Sequence, residues 1–268
     1  MSLSKKQKFF KNTALVSIFT MVSRVFGYIR DAAIFICISN TNGALDAFFV
    51  AFRIPNFFRR IFGEGALSTA YVPVLSDYKN KKDEKDVKEF INSSFTYLAI
   101  ILLIISIIGV AITPILIYLI APGFVNSEFG QYELSYKLLR ITFPYMFFIC
   151  LTAVSSSILN TYERFSIPAI TPTILNIVLI VSVLFFSPLF NEPVYALAWG
   201  LSFAGIIQLI FVLRPLIKMG LFPKFNYNKN HPGIKKIKDL MLPVIFGSSV
   251  TQVNLIFDTI IASFLITG

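Results

Sequence analysis

Apolar residues in this chain gather in long runs instead of alternating with polar ones. The runs cover 14–38, 44–75, 90–120, 132–158, 168–190, 193–217 and 240–267. Each reaches the roughly 20 residues that a helix needs to cross the hydrocarbon core of a bilayer. None shows the two-residue period of a barrel strand, which spans in about ten residues. The pattern predicts an all-α polytopic membrane protein with about seven transmembrane helices, each satisfying its own backbone groups within the lipid. The first run is too long for a signal peptide, contains Arg24 and Arg30, and has no small-residue cleavage site after a short apolar core, so it reads as a helix.

Composition agrees, with 56% hydrophobic residues, 14% charged residues and a mean hydropathy of +0.73. No stretch is left for a soluble domain. The chain reads as one transmembrane domain over 1–268, made of a lobe of about six helices (1–220), a basic loop (214–238) and a seventh helix (240–267). The net charge of +10 would suit nucleic acid, but its distribution points elsewhere. Lys5, Lys6, Lys8 and Lys11 precede the first run, five lysines lie in 76–89, Arg164 marks the turn near 159–167, and seven basic residues fall in 214–238. The intervening loops near 39–45, 121–131 and 187–192 hold none. Cytoplasmic loops of membrane proteins carry this excess of Lys and Arg, which predicts a cytoplasmic N-terminus and no nucleic-acid partner.

Enzymatic signatures do not appear. The single histidine, His231, lies in the basic loop and is expected to be a solvated residue there. Cys37 and Cys150 have no paired spacing, so neither a disulfide framework nor a metal site follows, and no cofactor is expected. Without a phosphate loop, transport would have to draw on an ion gradient, the membrane potential or a partner.

The charges inside the apolar runs carry the chemistry. Arg24, Arg30, Arg53, Arg59, Arg60 and Arg140 all fall there, five of them in the first two runs. A central Arg costs about 2.5 to 3.5 kcal/mol on insertion scales, whereas each Leu, Ile, Phe or Val returns only about 0.3 to 0.6. Arg59 and Arg60 could snorkel to an interface, with Arg60 paired to Glu64 one turn on. Arg24 and Arg53 lie near mid-membrane, where a cation is tolerated against a partner or in a water-filled cavity. Arg24, Gly27 and Asp31 share a face of the first helix, and Asp46, Arg53, Arg60 and Glu64 fall near one stripe of the second. Arg30 and Arg59 lie off those stripes. Gly27, and Pro55 with Gly63 and Gly65, are the places where each helix could kink and turn such residues inward. Asp31, Asp46 and Glu64 are expected to pair with these arginines. A cluster richer in Arg than in carboxylate suits an anion such as pyrophosphate and repels a cation.

The stretches "SRVFGYIRDA" (23–32), "DAFFVAFRIPNFFRRIFGEGALSTAYVPVL" (46–75), "APGF" (121–124), "ITFPY" (141–145) and "ILNTYERFSIPAITPTILNI" (158–177) closely resemble the MurJ (MviN) family of bacterial lipid II flippases. The likeness runs through nearly the whole chain. It implies a multi-pass inner-membrane transporter of the multidrug/oligosaccharidyl-lipid/polysaccharide exporter superfamily. Such a transporter moves lipid II, an undecaprenyl-pyrophosphate-linked disaccharide peptide, to the outer leaflet by alternating access for peptidoglycan synthesis. Carried over motif by motif, Arg24, Arg30 and Arg59 match the family's cavity arginines and are the expected pyrophosphate contacts. Ser23 and Asn56 match substrate-contact positions, and Asp46 and Glu64 match cavity or gate positions. Arg53 stands where relatives often carry Lys.

One departure from the family pattern matters. Its members are about twice as long, with fourteen helices in two lobes, whereas this sequence ends at Gly268 and has no counterpart of an arginine in the family's eighth helix. The resemblance therefore makes this chain the N-terminal lobe, with either the missing C-terminal half or a second copy as partner beside lipid II and membrane lipids. Three alternatives belong to other classes. A cation-coupled multidrug exporter of the same superfamily would carry acidic cavity residues. An inactive fragment or membrane scaffold would tolerate loss of Arg24 or Arg30. A membrane enzyme would need a His or metal–carboxylate constellation.

Overall fold

The computed structural model describes residues 5–38, 43–127, 129–228 and 230–265. Among these, helices account for nearly everything between short connections, and there are no strands. In chain order they are α1 (Lys5–Cys37), α2 (Ala44–Phe58), α3 (Leu67–Lys81), α4 (Glu84–Ala111), α5 (Thr113–Ile120), α6 (Gln131–Thr142), α7 (Pro144–Thr161), α8 (Ser166–Val181), α9 (Val194–Lys218) and α10 (Pro232–Ala262).

Six helical stretches are long and apolar enough to cross a membrane: Asn12–Cys37, Glu84–Ala111, Gln131–Thr161, Ser166–Leu189, Val194–Lys218 and Pro232–Ala262. The chain is a multi-pass membrane protein. The further crossing expected at 44–75 falls within a helical run from Ala44 to Lys81, too rich in charge to qualify by apolarity. That run changes character midway. Between α2 and α3 the backbone widens into a π-helix over Arg59–Ala66, where Gly63 and Gly65 weaken the α form. Pro55 lies inside α2, one turn before the widening begins.

Two other expected runs bend at their prolines. The 90–120 run turns at Ile112, just before Pro114, and the 132–158 run breaks at Phe143 before Pro144. Proline fits the first turn of a helix, where its missing N–H has no partner to lose. The seventh helix begins at Pro232, earlier than its apolar stretch, because His231 supplies the cap.

The helices pack pairwise, with α7 against α9 at the centre, α8 on α9, α2 on α6, α3 and α4 on α7, and α10 over α3 and the π-helix. α1 lies almost wholly against α8. Two core layers stack along the bundle. One joins Ala47, Phe48, Leu138, Tyr145, Leu197 and Leu201. The other joins Leu67, Tyr71, Phe90, Ile158, Val212 and Leu216. In the second layer Ser94 donates to the Phe90 carbonyl at 2.6 Å, so the buried Tyr71 hydroxyl, 2.9 Å from Ser94, is the donor in their bond. Paired hydroxyls of this kind remove the cost of burying polar atoms among apolar side chains. α7 and α9 are the most enclosed crossings, and α1 and α10 the least.

The connection from α9 to α10 does not trail into solvent. The Lys224 N–H donates to Asn92 Oδ1 at 2.8 Å and the Asn226 N–H donates to Thr96 Oγ1 at 3.0 Å, laying the segment along α4. His231 is buried, which corrects the expectation of a solvated residue. Its ring lies 5.7 Å from both the Tyr78 and Phe90 rings, and its Nδ1 accepts from the Gly233 N–H at 3.2 Å, capping α10. Nearby, Asp77 bridges Lys81 at 2.7 Å and Lys236 at 3.1 Å, and hydrogen bonds from these lysines hold its carboxyl below the usual carboxylate range. These contacts fasten the start of α10 to the ends of α3 and α4.

Candidate functional site

On α1, Ser23, Arg24, Gly27, Arg30 and Asp31 fall within two and a half turns. Helical phase sends them to different surroundings. Arg24 is exposed, whereas Arg30 is half-buried against α8. Arg30 Nη1 donates to Asn176 Oδ1 at 2.9 Å, and its Nε and Nη2 donate to Asp31 Oδ1 at 2.9 and 2.7 Å. Asn176 is buried in α8, and its Nδ2 donates to the Ser23 carbonyl at 2.9 Å. One side chain of α8 therefore holds α1 at two points, two turns apart. Gly27 stands between those points, inside an unbroken helix, with Asn176 passing over it.

Asn176 was not singled out by sequence reasoning. The available signal was a lone amide in the apolar run "TILNIVLI", where an unpartnered polar group would be costly.

α2 and the π-helix distribute their arginines between two cavities. Arg53 and Arg60, seven residues apart, line a cavity of about 230 Å³ together with Asn56, Leu116 of α5 and Gln252 of α10. Arg59 turns the other way and lines a cavity of about 250 Å³ among α3, α7, α8 and α9. Asn56 lies between the two: it borders the Arg53 cavity, while its Oδ1 accepts from Arg59 Nε at 3.0 Å. Adjacent residues on an α-helix point about 100° apart, so Arg59 and Arg60 separate by simple geometry. Pro55 is buried in the α2 wall behind them.

Asp46 is half-buried in the first turn of α2, where the helix's unpaired N–H groups favour a negative charge. It stands about two turns from Arg53. The expected partner of Arg60, Glu64, and the glycines beside it have side-chain positions outside those described. The remaining arginine in an apolar run, Arg140, donates from Nε to Thr113 Oγ1 at 3.1 Å and lies over the Tyr136 ring, which ties α6 to α5.

The candidate residues are thus not one cluster. The structure brings Arg30 to Asn176 and Ser23, Arg53 to Arg60, and Arg59 to Asn56. Chemically, the two cavities share one trait. Their described walls contain arginine and amide groups and no carboxylate, and the Arg59 cavity adds hydroxyls. Such walls attract anions and hydrogen-bonding neutral groups and disfavour cations.

A sequence profile described as "Lipid II flippase MurJ" matches residues 40–268. A "Probable lipid II flippase MurJ" from Buchnera aphidicola subsp. Acyrthosiphon pisum is 41% identical over 256 residues, covering 94% of this chain and 49% of that protein. Among solved structures, "Lipid II flippase MurJ, inward closed conformation" superposes with a TM-score of 0.77 at 31% identity, over 95% of this chain and 51% of that one. An outward-facing multidrug resistance MATE family transporter of the MOP superfamily shares the fold, with a TM-score of 0.68 at 17% identity, over 91% of this chain and 52% of that one. The chain spans about half the length of the relatives it matches. With the profile matching from residue 40 to residue 268, the chain belongs to the lipid II flippase MurJ family.

Proposed function

We propose that this chain is the N-terminal lobe of a flippase that carries lipid II from the inner to the outer leaflet of the bacterial inner membrane. It is a transporter and not an enzyme. Arg24, Arg30 and Arg59 contact the pyrophosphate, with Ser23 and Asn56 beside them, and Asp31, Asp46, Arg53, Arg60 and Glu64 shape the cavity and its gating. Gly27 and Pro55 are the hinge positions. The N-terminus and the basic loop face the cytoplasm.

One observation carries this reading. The cavity walls around Arg53, Arg60 and Arg59 are cationic and free of carboxylates among the described residues. A cation-coupled drug exporter needs the opposite polarity there, because a cationic substrate must be balanced by acidic groups. Amide oxygens from Asn56 and Asn176 orient the guanidiniums of Arg59 and Arg30, and Arg30 is bridged by Asp31 as well.

Alternating access needs a second wall to rock against this one, supplied by a C-terminal half or by a second copy. The test is the amount of lipid-linked precursor exposed on the outer leaflet of cells depleted of their own flippase. The chain would be expressed alone and fused to the C-terminal half of a relative, with membrane insertion verified in each. Exposure restored by the fusion, and lost when Arg30 becomes Ala, is the expected result. Exposure unchanged by that substitution would sink the proposal.

A further inference from the structure

The connection from α9 to α10 presents a surface that the lobe itself does not cover. Gly220 turns the chain off α9 in a left-handed conformation (φ 68°), and the chain then runs without regular structure along α4. The bonds from the Lys224 and Asn226 N–H groups to Asn92 and Thr96 fix it there. Leu221 and Pro223 are buried, whereas Phe222, Phe225 and Tyr227 are 45%, 82% and 54% exposed, with Lys224 exposed among them. Three aromatic rings held outward on a pinned backbone would be costly against water.

Their level along α4 removes that cost. Asn92 and Thr96 lie one and two turns beyond Lys88, where the charged start of α4 gives way to its apolar span. Tyr97 follows Thr96, and Lys238 of α10 lies 4.5 Å over its ring. Aromatic rings and lysines collect at this level of a membrane protein, where hydrocarbon meets the lipid head groups.

Beside the rings lies a charged recess. Lys88, Asn92, Gly220 and Lys224 line a cavity of about 180 Å³ together with Phe222. Asn92 Oδ1 is occupied by the Lys224 N–H, which leaves its Nδ2 as a donor. Lys88 shares its charge with the exposed Glu84 at 2.6 Å, while Lys224 has no ion pair among the described residues. The described wall holds no carboxylate, so the recess suits an anion such as a phosphate group and repels a metal ion. A soluble anion would satisfy the lysines and leave the three rings in water. A phospholipid satisfies both.

We propose that residues 221–227 form an interfacial anchor for an anionic phospholipid of the leaflet this loop faces. Its phosphate sits in the cavity lined by Lys88 and Lys224, and its acyl chains lie against Phe222 and Phe225. The lipid ties the link between α9 and α10 to the bilayer surface. The anchor is separate from the arginines assigned to pyrophosphate and does not rely on that assignment.

The test titrates the whole chain in detergent with phosphatidylglycerol, or with phosphatidylcholine of the same acyl chains, binding being read by native mass spectrometry. Tighter binding of phosphatidylglycerol is expected. Lys88→Gln combined with Lys224→Gln should reduce that preference about ten-fold. Lys82→Gln combined with Arg164→Gln, which removes equal charge outside the cavity, should keep it. No preference in the unsubstituted chain, or equal loss in the two double variants, overturns the site. Displacement of the lipid by inorganic phosphate at matched concentration also overturns it, in favour of a soluble anion. The rings are tested in phosphatidylglycerol nanodiscs with Phe225→Trp in a Trp199→Phe background, Trp199 being the single tryptophan. Quenching of its fluorescence by brominated acyl chains is expected, and quenching by aqueous acrylamide in their place overturns the anchor.

Discussion

Asn176 on α8 accepts from Arg30 and donates to the carbonyl of Ser23, each at 2.9 Å, so a single buried amide spans two turns of α1. α1 has little other contact with the lobe, which makes this grip a main determinant of where Arg30 points. Asn176→Ala removes both bonds, although Arg30 keeps Asp31, and should destabilise the α1–α8 contact by about 1–3 kcal/mol. Faster cross-linking or labelling of cysteines placed along the α1–α8 seam would report it.

The charge at the same point can be changed while the Arg30 bond is kept, at the loss of the bond donated to the Ser23 carbonyl. Asn176→Asp offers Arg30 a second carboxylate beside Asp31, which holds it more strongly and makes the group net negative. The expected outcome is a normally inserted protein with reduced affinity for a polyprenyl pyrophosphate. Affinity equal to that of the unsubstituted chain would show that the Arg30 charge is not what binds.

Arginine-to-lysine exchanges separate charge from geometry at the proposed contacts. Lys retains the charge but loses the planar donors that pair with phosphate. In an active full-length protein, Lys at position 24, 30 or 59 should keep partial activity and Ala should abolish it. Precursor exposure at matched membrane levels is the readout. Equal activity of the Ala variants would remove these residues from the site.

His231 predicts a dependence on pH. Burial against Tyr78 and Phe90 holds its imidazole below the ordinary value, and nearby Glu89 and Asp86 offset only part of that effect. The folded chain refuses a proton that the unfolded chain accepts below about pH 6.5. The contribution is therefore constant above that pH and is lost progressively as the pH falls below it. Protonation also removes the Nδ1 acceptor used by Gly233. Protection of the first amides of α10 against hydrogen exchange, taken relative to the intrinsic rate at each pH, should fall between neutral pH and pH 5.5. In His231→Asn, which caps without titrating, the protection should lack this step.

At the other end of α10, the Gly123 N–H donates to Ser263 Oγ at 3.1 Å. A methyl group on Gly123 would collide with the Ser263 backbone carbonyl, which cannot yield as a flexible side chain can. Gly123→Ala should release the end of α10 while leaving α5 and α6 in place. A spin-label distance between positions 125 and 264 would lengthen, and an unchanged distance would refute this account of the junction.

Much of the fold was legible because hydrocarbon imposes one rule on every crossing, and the lengths of the apolar runs obey it. The bends at Ile112 and Phe143 follow from the prolines beside them. The wide turn at Arg59–Ala66 was not legible as such, because Gly63 and Gly65 mark a weak α-helix without saying which alternative replaces it. Arginines in apolar runs announced themselves by cost. Their division between separate surroundings, and the role of Asn176, depend on partners far away in sequence. Arg30 and Asn176 are 146 positions apart, and no periodicity along one helix reports such a pairing.

The most enclosed helices, α7 and α9, contribute none of the arginines assigned to pyrophosphate, while α1, among the least enclosed, contributes two of the three. On the proposed assignment, persistence of the protein and performance of its task rest on different residues. Substitution at an exposed site such as Arg24, Arg53 or Arg60 should leave the amount of protein unchanged. A change of volume inside α7 or α9 should lower that amount. Because the proposed contacts lie at the rim, their charge can be exchanged without rebuilding the packed centre.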